Sequence, residues 1–93
     1  MLLIRHSIGS RLLCQTELYT IVNKGERWEI SLPVDEETSS KILNFKHELN
    51  VFQVNETEKT WYYSSDAQVN YQPNEKQLVI LADHKTVYPT ITP

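Results

Sequence analysis

The chain reads as an α+β protein: a curved, mostly antiparallel β-sheet of about 5–7 strands with one α-helix, over about residues 35–49, packed on one face. Three observations predict this. Val, Ile, Thr, Tyr, Phe and Trp fill 31 of the 93 positions while Ala occurs twice, and branched and aromatic side chains suit a pleated surface better than a helix. Short runs of strand-period alternation recur between Gly, Pro, Asn and Asp punctuation. Only one stretch, PVDEETSSKILNFKHELN, carries apolar residues at helical spacing behind a capping residue.

Residues 1–14 allow a first strand at Leu2 to His6 or a short helix beginning at Ser10, and the strand is preferred. LYTIVNKGERW predicts a hairpin turning at Asn23-Lys24-Gly25-Glu26, where glycine tolerates positive φ. Its first strand, roughly Thr16 to Val22, is apolar on both sides and is expected to be the more central of the two. The second, RWEISL, sets Trp28, Ile30 and Leu32 against Arg27, Glu29 and Ser31.

In the helical stretch Asp35 can cap the free amides, Glu36 and Glu37 sit at the positive dipole end, and Ile42, Phe45 and Leu49 form the apolar stripe. Then VFQV, TWYYSS, AQVNY, KQLVILA and KTVYPTIT read as a meander of short strands. Leu78-Val79-Ile80-Leu81 is apolar on both faces and predicts a central strand. Pro89 cannot donate to a ladder, so the last strand belongs at an edge or stops near Tyr88.

Ninety-three residues make a single domain, 1–93, with 40% hydrophobic and 23% charged residues, a composition that folds. Arg5, His6 and Arg11 interrupt any signal-like apolar run, and no stretch is long and apolar enough to span a membrane. The lone Cys14 excludes an internal disulfide, and with those two features points to a cytoplasmic setting. A net charge of −3 disfavours nucleic acid as a partner.

Chemistry-bearing patterns are sparse. His6, His47 and His84 have no metal-ligand spacing, Cys14 has no sequence-defined base, and Gly9 and Gly25 stand too far apart for a phosphate-cradling loop. Asp35, Glu36 and Glu37 are accounted for as favourable charge at a helix start, and Asn55-Glu56-Thr57 as a turn. No cofactor, metal or catalytic residue is therefore assigned.

The aromatic run Trp61-Tyr62-Tyr63 is the distinctive feature. In a strand it places Tyr62 on one face and Trp61 with Tyr63 on the other. Val69 and Tyr71 add a pair on one face of the next strand. A helix of about 13 residues is about 20 Å long and about 10 Å wide, whereas five strands make a sheet about 24 Å across. One helix cannot cover it, so the sheet must curl around its rings or leave some of them to a partner. Tyr62 is expected in the core under the helix, and Trp61 and Tyr63 toward a partner. Trp61, Tyr63, Tyr71 and Trp28 are the candidate contact residues of a non-catalytic interaction module that makes a homodimer or docks another protein. The alternative is a small-molecule pocket, or a small enzyme, lined by Trp61, Tyr63 and Tyr71; a third reading is weak stacking of single-stranded nucleic acid.

Overall fold

The computed structural model describes residues 1–66 and 68–89. Nine strands and one helix follow in the order β1 (Leu2–His6), β2 (Leu12–Thr16), β3 (Thr20–Asn23), β4 (Trp28–Pro33), α1 (Glu36–Asn44), β5 (Leu49–Val54), β6 (Glu58–Tyr63), β7 (Gln68–Gln72), β8 (Gln77–Ala82) and β9 (His84–Pro89). They form two antiparallel sheets: a five-stranded one ordered β2-β1-β5-β6-β9 and a four-stranded one ordered β3-β4-β8-β7. The α+β class with antiparallel pairing and one helix is as the sequence predicts. The division into two sheets is not, because alternation within a strand does not say which strand lies opposite.

Residues 1–14 resolve as the strand alternative, and Leu12 begins a second strand rather than a helix. β1 and β2 pair around a bulge, the partner of Ile4 being Cys14 and that of Arg5 being Leu12. The expected central strand from Thr16 to Val22 does not form. The Leu18 amide donates to Thr16 Oγ1 at 3.0 Å, and this local turn ends β2. The chain then enters the other sheet as β3, an edge strand, while its hairpin partner β4 is internal. Gly25 closes that hairpin at φ 81°, and the Lys24 amide reaches the Arg27 carbonyl at 2.7 Å.

Asp35 caps α1, its Oδ1 accepting from the Thr38 amide at 2.7 Å. The helix stops at Asn44, earlier than the expected Leu49. The Phe45 amide bonds the Ile42 and Leu43 carbonyls, and the Glu48 amide turns back to the Phe45 carbonyl at 2.8 Å. Leu49 is thereby free to open β5 opposite His6. The buried anchor of α1 is Ile42, which is fully enclosed, whereas Phe45 is half-buried and stacks on the His6 ring at 4.1 Å.

The predicted meander is two hairpins. β5-β6 belongs to the five-stranded sheet and β7-β8 to the four-stranded one, so Val69 and Tyr71 do not face the β6 aromatics across a ladder. β8 is internal, with Leu78, Ile80 and Ala82 buried, as its apolar run predicts. β9 then returns to pair with β6 and ends at Pro89 on the sheet edge, again as expected; residues 90–92 of the predicted strand lie outside the described residues.

The inner faces of the two sheets share one core. Leu2, Ile4 and Val51 of one sheet meet Ile30, Leu32, Leu78 and Ile80 of the other, with Ile42 joining from the helix. Tyr62 belongs to this core at 3% exposure. It meets Trp28 of the four-stranded sheet edge-on, with centroids 6.2 Å apart. The sequence reading put Tyr62 beneath the helix; it is the second sheet that lies against it. At the rim, the Lys85 ammonium sits 5.7 Å from the Trp28 ring centre. No helix among the described residues is long and apolar enough to cross a membrane.

Candidate partner-binding face

Because strand side chains alternate, closing the core on the inner side sends every second residue of β1, β5, β6 and β9 outward. Register then sorts them into rows. Leu3, Phe52, Trp61 and Thr86 stand side by side across four strands. On one side of that row lie Val54, Lys59 and Tyr88, and on the other the pairs Arg5–Asn50 and Tyr63–His84.

The rings touch one another. Trp61 and Tyr63, two residues apart on β6, have centroids 5.8 Å apart and planes inclined at 40°. Tyr63 contacts the His84 ring of the edge strand at 5.6 Å. Trp61 is held from the side, its indole Nε1 donating to Asn50 Oδ1 at 3.1 Å, which fixes the ring's orientation. The Lys59 ammonium lies 4.2 Å from the Phe52 ring centre. Tyr63 and Tyr88 remain 37% and 45% exposed.

None of these outward strand positions is Asp or Glu, although the chain has twelve acidic residues. Two acids that neighbour the aromatic run in sequence are directed elsewhere. Glu58 alternates onto the Tyr62 side of β6, and Asp66 pairs with Arg27 at 3.1 Å. Asp83, at the corner before β9, accepts from the Ser65 amide and hydroxyl and contacts His84 Nδ1 at 2.8 Å. Those bonds from Ser65, then His84, hold its carboxyl well below the usual carboxylate range.

The four candidate residues divide two and two. Trp61 and Tyr63 lie on the outer face. Trp28 and Tyr71 pack against the core between the sheets, the Tyr71 hydroxyl donating to the Val34 carbonyl at 3.0 Å. Trp61, Tyr63 and Tyr71 therefore do not line a common pocket. Phe52, Lys59, Asn50 and Tyr88 join the site unforeseen. Alternation in VFQV could have sided Phe52 opposite Val51, but only the register puts it beside Trp61.

Elsewhere the chemistry is modest. Ser65, Asp83 and His84 meet, yet Asp83 sits between the other two, so no imidazole is placed to take the serine proton; the arrangement ties the β6–β7 turn to the start of β9. His6 Nε2 lies 3.1 Å from Glu48 Oε2. Burial, with Asp35 adding to it, pushes the Cys14 thiol up, which keeps it protonated and unreactive at neutral pH. Among the described residues no three His, Cys, Asp or Glu side chains are grouped to hold a metal ion. A cavity of about 270 Å³ lies away from the aromatic rings, lined by Pro33, Val34, Asp35 and Lys76. No family model, curated protein or solved structure matches the chain.

Proposed function

We propose that the protein is a non-catalytic interaction module whose binding surface is the outer face of the five-stranded sheet, centred on Trp61 and Tyr63. The observation that carries this reading is the set of rings Trp61, Tyr63 and Tyr88 on one face of the sheet, with Trp61 in contact with Tyr63 and with Tyr63 and Tyr88 left 37% and 45% exposed. Large rings with polar tips and few rotatable bonds are the side chains that recognition surfaces favour. The module works in the cytoplasm, a reading supported by the unpaired, protonated Cys14.

The test separates binding from folding. Truncating Trp61 and Tyr63 together should leave a cooperatively folded protein while abolishing association. Light scattering at micromolar concentration reads the self-associating version directly, as twice the 10.9 kDa chain mass in the parent and a single chain in the variant. A monomeric parent would move the reading from a second copy to a different partner. Stability losses at Trp61 and Tyr63 equal to that at Tyr62, with association untouched, would reduce the rings to packing and overturn the proposal.

A further inference from the structure

Given that the aromatic face binds, its chemistry narrows what it binds. We infer that the occupant is single-stranded nucleic acid, with bases laid on Trp61, Tyr63 and Tyr88 and phosphates met by Arg5 and Lys59. This rests on the reading of the face as a binding surface and goes beyond it by naming the ligand.

Charge is the first argument. The net charge of −3 is an average over the chain, whereas a bound strand meets only the field of the surface it touches. That surface carries Arg5 and Lys59 and no carboxylate at any strand position. Of the acids near Lys59 in sequence, Glu58 points to the other side in the fold and Asp66 is engaged with Arg27. The face thus holds two cations, Lys59 on one side of the aromatic row and Arg5 on the other, the latter also donating to the Ser10 carbonyl at 2.8 Å, and such a pair can meet the phosphates of a polyanion.

Shape is the second. Trp61 and Tyr63, at alternate positions of β6, are inclined at 40° to each other, Tyr88 adds a further ring on β9, and the flat side of any such ring takes a planar base without regard to sequence.

Symmetry is the third. A second copy docked face to face would set Arg5 and Lys59 against strand positions that likewise hold no carboxylate, bringing like charges together there. Duplex DNA or RNA offers phosphates but hides its base faces, so it should use only the weaker half of the site.

The experiment is titration of labelled oligo(dT), oligo(U) and a duplex of equal length into the full chain at about 25 mM salt, with affinities of about 1 to 100 µM expected for the single strands. With two phosphate contacts the logarithmic salt slope should be about −1.4, so a tenfold rise in salt weakens binding about 25-fold. Lys59→Ala should lower that slope by about 0.7. Trp61→Ala should weaken binding at least about fivefold without changing the slope, while Trp61→Phe keeps most of it. Should Trp61→Ala fail to fold, Tyr63→Ala and the Lys59→Ala slope carry the same test.

Equal binding of duplex and single strand, or indifference to Trp61→Ala, would overturn the stacking mode. Absence of oligonucleotide binding, with polyglutamate binding or self-association that the Trp61 and Tyr63 truncations abolish, would overturn nucleic acid and keep the docking face. No binding and no association of any kind would overturn both.

Discussion

The outer faces of the two sheets meet the same requirement in different ways. On the four-stranded sheet, β7 turns Gln68, Asn70 and Gln72 outward, β4 adds Glu29, and β8 contributes the half-buried Val79 and Leu81. On the five-stranded sheet the corresponding side holds Phe52, Trp61, Tyr63 and Tyr88 with Lys59 and Arg5. Both sheets close on the same core, and both outer faces lie outside it. The amide-rich face shows that this architecture does not need aromatic rings on its outside, which leaves the rings opposite available for the proposed binding role.

The largest effect that would sharpen this contrast is at Tyr62, the inward member of the aromatic run. Tyr62→Ala empties space between the sheets and removes the Trp28 contact, an expected loss of about 3–5 kcal/mol by chemical denaturation. At the helix, Ile42→Ala should cost about 2–5 kcal/mol and the half-buried Phe45→Ala only about 1–2 kcal/mol. A loss at Phe45 as large as that at Ile42 would mean that the His6 stack bears more of the helix packing than its exposure implies.

Smaller again are the outward rings: Trp61→Ala and Tyr63→Ala should each cost about 1 kcal/mol or less. Losses matching Tyr62 would break the comparison.

Acid reads a different feature. Asp83 is held low in the folded state by Ser65 and then His84, and it has an ordinary pKa near 4 when unfolded. Its contribution is present above about pH 4 and is lost as pH falls below that toward the folded value, because the unfolded state takes up the proton first. Asp83→Asn should therefore lower the melting temperature most at neutral pH and flatten its decline below about pH 4, where the parent has already lost the contribution. An unchanged acid limb would mean that the turn tie contributes nothing. The smallest effect belongs to the amide face, where Asn70→Ala should stay within about 0.5 kcal/mol and leave oligonucleotide affinity unchanged.

Much of this was legible in the sequence wherever the cause was local. The Asp35 cap, the Gly25 turn, the β8 core strand and the opposite siding of Tyr62 against Trp61 and Tyr63 all follow from nearest neighbours and strand period. What was not legible depends on pairing at a distance. Thr16 Oγ1 bends the chain out of one sheet and into the other, and nothing in LYTIVN announces that the strand before it ends. The helix looked longer because Leu49 fits its spacing, yet the place opposite His6 in β5 claims that residue. The site had the same limit: Trp61 and Tyr63 could be sided, but Phe52, Asn50 and Tyr88 become their neighbours only through register. The charge of the face was hidden too, since Glu58 alternates away from Lys59 and Asp66 pairs with Arg27.

The last strand has a consequence for the protein's behaviour in concentrated solution. Among the described residues β9 pairs on one side only, and such a backbone edge is the kind of surface on which chains stack into fibres. Two residues obstruct that growth. Lys85 is in register with Tyr62 and points inward at the rim, where an added strand would have to bury its charge, and Pro89 offers no amide to a newcomer. Lys85→Val would leave Thr86, Val87 and Tyr88 joined to one more β-branched residue at an unguarded edge. Amyloid-dye fluorescence should then rise with incubation in that variant and stay flat in the parent.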